Sequence, residues 1–268
     1  MKTKIYVVSH KKMVVSDDLK NAGYELISVG GGNNVNTDGK HDNQGINISE
    51  KNANYCELTA LYWLWNNEIE SDILGFCHYR RYFTKAVLSQ NEKYFLTDRD
   101  AAEIVDRTDG VIVPWKSRYI RPAYYNYLKC GRKKDLDILR NIISTKNPEY
   151  LPDYDYIMNH NWSYLTNMMI ARREIWEEYC EWLFGLLFEV EKRVDLRGYT
   201  AEEKRIYGYM SERLLTVWIR HNHIKVREFR TVNTEEHNTC GYKIREVAAR
   251  LHIYQGLKTL IYLVRGRK

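Results

Sequence analysis

Ser71-Asp72-Ile73-Leu74-Gly75-Phe76-Cys77-His78-Tyr79-Arg80-Arg81-Tyr82-Phe83 starts as a short apolar run and ends in a dense polar cluster. Ile73, Leu74, Phe76 and Cys77 suit a buried strand. Gly75 permits close approach by another backbone or a ligand. His78, Arg80 and Arg81 then fall where the strand leaves the sheet. In open α/β sheets, ligands bind outside the carboxyl ends of the strands. Two guanidiniums at that edge point to an anion, phosphate or carboxylate, gripped through paired N–H donors. The alternative is a solvated edge with the arginines paired to surface carboxylates.

The flanking sequence repeats the arrangement. Ile5-Tyr6-Val7-Val8-Ser9-His10 reads as a first strand, rich in β-branched and aromatic residues and ending in a polar turn. His10, Lys11 and Lys12 there either meet a nucleotide phosphate or form an ordinary basic turn. Tyr24 to Val29 reads as a second strand. The stretch Gly30-Gly31-Gly32-Asn33-Asn34 that follows lacks the spacing of a dinucleotide or phosphate loop. It is a binding loop or a plain exposed one. From Tyr55 to Trp65, Leu58, Leu61, Tyr62 and Trp65 recur at spacings of three and four, so a helix is expected, with Glu57 near its start. Glu57 either favours the helix dipole or faces the site.

Thr97 followed by Asp100 predicts a capped helix start. Asp109 to Pro114 predicts another strand, with Lys116 and Arg118 just beyond its carboxyl end. Residues 119–135 are Tyr-rich and suit a lid or an acceptor-side wall. Residues 135–143, 174–191 and 206–219 read as helices, 164–171 as a strand, and 199–205 as a loop; Pro148 to Pro152 reads as a break. On the helix at 206–219, Glu212 is either poised as a general base or merely pairs with Arg213.

Composition sets outer bounds. The chain has 268 residues, 44% of them hydrophobic, enough for one substantial core. Its 22 Tyr and 7 Trp offer rigid faces for stacking as well as core. A net charge of +6 suggests anionic partners. Five cysteines without a close pair argue against a thiolate zinc site, and the histidines lack metal spacing. Met1-Lys2-Thr3-Lys4 runs straight into a strand, so a reduced, cytoplasmic protein without a signal peptide is expected. No stretch reaches the length of a membrane span. Residues 247–264 interleave apolar and basic side chains. Such a helix lies on an anionic membrane or covers the domain.

Several of these pieces together resemble a family. They are Ile5 to Lys11, Tyr55 to Ala60, Gly75 to Phe83, Asp109 to Pro114, Asn167 to Ile170, Tyr179 to Phe184 and Ser211 to Leu215. The set is similar to bacterial glycosyltransferases of capsule, exopolysaccharide and lipopolysaccharide synthesis, some of them described as domains of unknown function. His78-Tyr79-Arg80-Arg81-Tyr82-Phe83 is the most specific piece.

The resemblance implies an α/β, GT-A-like single domain over residues 1–235. Its mostly parallel central sheet is flanked by helices; the residue pattern itself, and not the resemblance, adds a basic amphipathic helical tail at 236–268. It implies transfer of a sugar, galactose or galactofuranose in some relatives, from a UDP-linked donor to a glycan or lipid-linked acceptor. Ordinary GT-A enzymes hold a divalent ion on an Asp-x-Asp motif after a central strand. Here His78-Tyr79-Arg80 stands in that place and supplies cations. Asp153-Tyr154-Asp155 has the letters but no preceding strand.

The expected donor-binding set is Ser9, His10, Lys11, Glu57, His78, Arg80, Arg81, Lys116 and Asn167. Arg80 and Arg81, with His78, would stabilise charge on the leaving diphosphate. Glu212 is the first choice for the base, then Asp155 or Glu57. No tightly bound cofactor, metal requirement or nucleic-acid partner is expected. The location implied is cytoplasmic, peripheral on the inner face of the cell membrane. The rival is a non-catalytic nucleotide- or nucleic-acid-binding protein, which predicts a continuous basic stripe with exposed rings.

Overall fold

The computed structural model describes residues 1–30, 39–86 and 89–235. The amphipathic tail at 236–268 and the glycines at 31 and 32 lie outside the described residues. The strands are β1 (Thr3–Ser9), β2 (Tyr24–Ser28), β3 (Lys40–His41), β4 (Ile73–His78), β5 (Arg81–Thr84), β6 (Gly110–Pro114), β7 (Ser117–Arg118), β8 (Trp162–Ser163), β9 (Met169–Arg172) and β10 (Lys225–Asn233). The helices are α1 (Asp17–Asn21), α2 (Asn52–Tyr55), α3 (Leu58–Asn67), α4 (Asp98–Thr108), α5 (Ala123–Tyr127), α6 (Lys133–Lys146), α7 (Leu151–Asn159), α8 (Arg173–Glu191) and α9 (Ile206–His221).

β1 lies between β2 and β4 and runs parallel to both. The sheet as a whole is mixed, which corrects the expectation of a mostly parallel one. β5 follows β4 after two residues, and so short a turn can only return antiparallel. β9 sits between β4 and β6, antiparallel to each, with Ile170 opposite both Gly75 and Ile112. β10 runs parallel to β6 through Lys225–Phe229 and antiparallel to β5 through Arg230–Asn233. β7 and β8 form a separate small ribbon.

Side-chain alternation along the strands divides the core. Ile5, Val7, Ile73 and Cys77 face Leu19, Ala101 and Val105, on the side of α1 and α4. Tyr6, Val8, Leu74 and Phe76 face Leu58, Leu61, Trp176, Leu183 and Leu214, on the side of α3, α8 and α9. The indole of Trp176 donates to the Leu74 carbonyl at 2.7 Å, which pins α8 to the central strand. Phe76 is fully buried, and truncating it to Ala would cost about 3–5 kcal/mol. Gly75 leaves room for its neighbours: a Cβ there would come within 2.9 Å of Ile5 and 3.2 Å of Ile170.

Local details depart from the pattern reading in instructive places. α4 has the capping box that Thr97 and Asp100 announce. The helix expected from Tyr55 is broken at Cys56, which has φ 54°, and α3 starts at Leu58. Pro148 and Pro152 do not end structure. Each occupies an early helical position, where its missing N–H is not needed, and α7 runs on to Asn159. The strand expected from Tyr164 is delayed to Met169, because Thr166 and Asn167 turn left-handed at φ 79° and 54°. Within 199–205, Glu203–Arg205 closes into a 3-10 turn that leads into α9.

Candidate functional site

β1, β2 and β4 end side by side, and their carboxyl ends open into a cavity of about 530 Å³. Val8, His10, Val29 and His78 line it from the sheet. Tyr79, Arg80 and Arg81 form the turn above β4. Asn52, Cys56 and Glu57 come from the α2–α3 break, Leu165 and Thr166 from the approach to β9, and Arg205 and Glu212 from α9.

The floor is a tight polar network. His78 Nε2 lies 2.6 Å from the Thr166 carbonyl, so Nε2 carries the proton and donates it. Burial pushes the pKa of His78 down; Glu57 opposes, while Arg81 and Arg80 push the same way. The lowered pKa favours the neutral imidazole near pH 7, which leaves Arg80 and Arg81 as the cations of this turn. The amide N–H of Thr166 donates to Glu212 Oε1 at 3.1 Å. Two residues earlier, Tyr164 N–H donates to Thr216 Oγ1 at 2.9 Å. Four residues of helix rise about 6 Å, and two residues of extended chain span about 6.6 Å. α9 thus grips this segment at two matched points. Asn167 Nδ2 donates to Glu57 Oε1 at 2.8 Å, which ties the second carboxylate to the same loop.

Glu212 is the carboxylate best placed for chemistry. Arg213 Nη1 donates to its Oε2 at 3.0 Å, and 21% of the Glu212 side chain stays open. Each oxygen accepts one donor from the protein and keeps a lone pair in reserve. Burial raises its pKa and Glu57 adds to that, against Arg213, the Thr166 amide and Arg81. That is the balance wanted in a base that must let its proton go and take one back.

The cations gather at the mouth. Arg80 Nη1 lies 3.1 Å and Lys11 Nζ 3.4 Å from the carboxylate of Glu235. Both flank the Tyr79 ring, at 5.5 and 5.0 Å from its centre, and His10 meets that ring edge-on. Burial lowers the pKa of His10, and Lys11, Arg80 and Arg205 lower it further. His10 is therefore an uncharged member of a basic cluster. Arg80 lines the cavity and at the same time pairs with the surface acid Glu235. Arg81 opens β5 opposite Asn233, lines the cavity, and lowers the pKa of both His78 and Glu212.

The remaining expected residues fall around or away from the cavity. Ser9 Oγ accepts from Lys11 N–H at 3.1 Å and shapes the turn. Asn167 supports Glu57 from behind. Lys116 pairs with Glu228 at 3.2 Å and lies over Trp162, outside the cavity wall. Asp155 sits on α7 in a two-pronged pair with Arg140, at 2.8 and 2.7 Å, away from the cavity. Residues two apart on a helix point to different sides, so Asp153 and Asp155 engage different partners, Arg220 and His221 for the former. No group of three potential metal-ligating side chains occurs among the described residues. Nor is any helix among them long and apolar enough to cross a membrane.

The pattern reading missed Arg205, Asn52 and Cys56. Arg205 precedes α9 and lies seven residues, two helical turns, before Glu212; that spacing was the available clue. Its Nε donates to Cys56 Sγ at 3.2 Å, and burial pushes the Cys56 thiol up to about 11. The thiol stays protonated at neutral pH and is a packing partner for the guanidinium.

A mixed sheet with helices on both faces, opening at its strand ends onto arginines and the carboxylates of Glu57 and Glu212, defines an α/β protein of glycosyltransferase-like fold. The solved apo structure of WbbM, a bifunctional glycosyltransferase, superposes with a TM-score of 0.77 at 28% identity, covering 88% of this chain and 46% of that one. This chain spans less than half the length of WbbM. No curated protein matches it. Residues 4–223 match the family described as a domain of unknown function, DUF4422, and the chain belongs to that family.

Proposed function

We propose that this chain transfers a sugar from a nucleoside-diphosphate donor to a hydroxyl acceptor. The observation that carries the reading is the meeting of Arg80, Arg81 and Arg205 with Glu212 around one cavity at the ends of parallel strands. The likeness to a bifunctional glycosyltransferase supports the reaction class.

The donor diphosphate faces the three guanidiniums. The acceptor oxygen attacks the anomeric carbon, and the bond from that carbon to the phosphate oxygen breaks. The electron pair leaves with the diphosphate, where fixed cations stabilise the developing charge. The acceptor proton passes to Glu212. Neutral His78 and the Thr166–Asn167 loop keep Glu212 and Glu57 in register. The finer reading is a UDP-linked donor, galactose or galactofuranose, and a glycan or lipid-linked acceptor in surface polysaccharide synthesis.

The test is a screen of sugar nucleotides for release of nucleoside diphosphate, run with and without chelator. Release from one donor that depends on acceptor supports the proposal. Binding of nucleotide with no release from any donor under any condition favours a non-catalytic nucleotide-binding protein instead.

A further inference from the structure

We infer that the ridge running from Arg118 to Lys129 docks on an anionic lipid bilayer. Residues 115–134 contain seven Lys and Arg and no Asp or Glu. Among the described residues, Arg118, Arg121 and Lys129 have no carboxylate within ion-pairing distance, and all three are exposed. Between these charges stand two exposed apolar side chains, Ile120 at 49% and Tyr125 at 47%. The Arg121 guanidinium lies over the Tyr125 ring at 5.0 Å, and Tyr124 meets Tyr125 edge-on.

The backbone fixes what faces outward. Tyr119 is buried against Ser163, so its neighbours Arg118 and Ile120 turn to solvent. α5 then buries Ala123 and Tyr127 and leaves Tyr125 outside. The product is an exposed aliphatic and an exposed aromatic side chain, the latter under the Arg121 guanidinium, on a segment that also exposes Arg118 and Lys129. Cations favour the headgroups of anionic lipids, and Tyr and Ile favour the interface beneath them. A nucleic acid would use the charges and the ring but has nothing to offer an aliphatic tip, so the bilayer is the better fit.

The ridge is attached to the site. Asn126 of α5 accepts from Arg213 Nη2, and Arg213 holds Glu212. A bilayer on this face would bring a lipid-linked acceptor to the side of the cavity that carries the base. Only this directional point rests on the transfer reading; docking does not.

The experiment is co-sedimentation of the full chain with vesicles of phosphatidylcholine, with and without phosphatidylglycerol. The parent is compared with Ile120→Asp and with the double variant Arg121→Gln/Lys129→Gln. All are full-length, so any contribution of residues 236–268 is common to them. The parent should bind phosphatidylglycerol vesicles, and each variant should bind about tenfold more weakly, with an unchanged unfolding temperature. Equal binding by parent and both variants overturns the inference. So does a parent that binds a single-stranded oligonucleotide and not the vesicles. Donor turnover with a soluble acceptor, read on the same proteins, tests the transfer reading separately.

Discussion

Replacing Glu212 by Gln isolates the proton transfer. The amide keeps the shape of the side chain and an oxygen that can accept from the Thr166 N–H, now at 3.1 Å, or from Arg213. It cannot take up the acceptor proton. A positioned general base contributes about 10²- to 10⁴-fold, or roughly 3–5 kcal/mol of barrier. We expect kcat for transfer to fall by that factor. The donor diphosphate faces the arginines at the mouth, so donor affinity should stay within about threefold. Single-turnover transfer and calorimetric donor binding measure the two quantities apart. The pH profile gives an independent reading. Burial raises the Glu212 pKa in the folded chain, and only the ionised form is a base. Transfer should therefore decline as pH falls, on an acid limb displaced above the ordinary carboxyl value, and Glu212→Gln should lose that limb. Transfer within fivefold of the parent, or loss of donor binding in step with kcat, would refute the assignment.

Arg80→Ala should lower transfer by about 100-fold with unchanged circular dichroism, because Arg80 is a half-exposed cation at the mouth; unchanged transfer would remove it from the diphosphate site. Glu235→Gln should tighten donor binding, since its carboxylate pairs with Lys11 and Arg80; exposed ion pairs are weak, so the gain read by titration should not exceed about fivefold, and a loss would contradict the competition. Asp155→Asn should leave transfer within twofold of the parent while cutting the pair with Arg140; a large kinetic defect would return Asp155 to the active-site candidates. Gly75→Val should lower stability by about 1–3 kcal/mol, read as a lower denaturation midpoint, because the added Cβ would meet Ile5 and Ile170; an unchanged midpoint would mean the sheet can spread there.

Much of the site was legible because its residues are local in sequence. Strand β4 and its polar exit are contiguous, so an apolar run ending in His78 to Arg81 reveals both the sheet and its mouth. β1 ending in Ser9 and His10 does the same. Glu212 could be singled out as a carboxylate on an apolar helix. Its neighbour Arg213 was named with it, but its second partner, the Thr166 amide, was out of reach at 46 residues away. Long-range pairing also hid the mixed sheet: the direction of β9 and β10 is set by tertiary contacts, not by their own composition. The two prolines around α7 misled because their position within the first turn, not their presence, decides whether a helix stops. Asp153-Tyr154-Asp155 carried the letters of a metal motif but sits on a helix, where the two carboxylates diverge.

Thr166 and Asn167 have a consequence for engineering. Non-glycine residues held left-handed cost about 1–3 kcal/mol each, and two stand in succession here. A selection for heat resistance would be drawn to glycine at these positions, since glycine adopts that backbone without steric conflict. It would gain shelf life and slacken the loop that aims Glu212, Glu57 and His78. Hardened forms of this protein are better sought at residues remote from that turn.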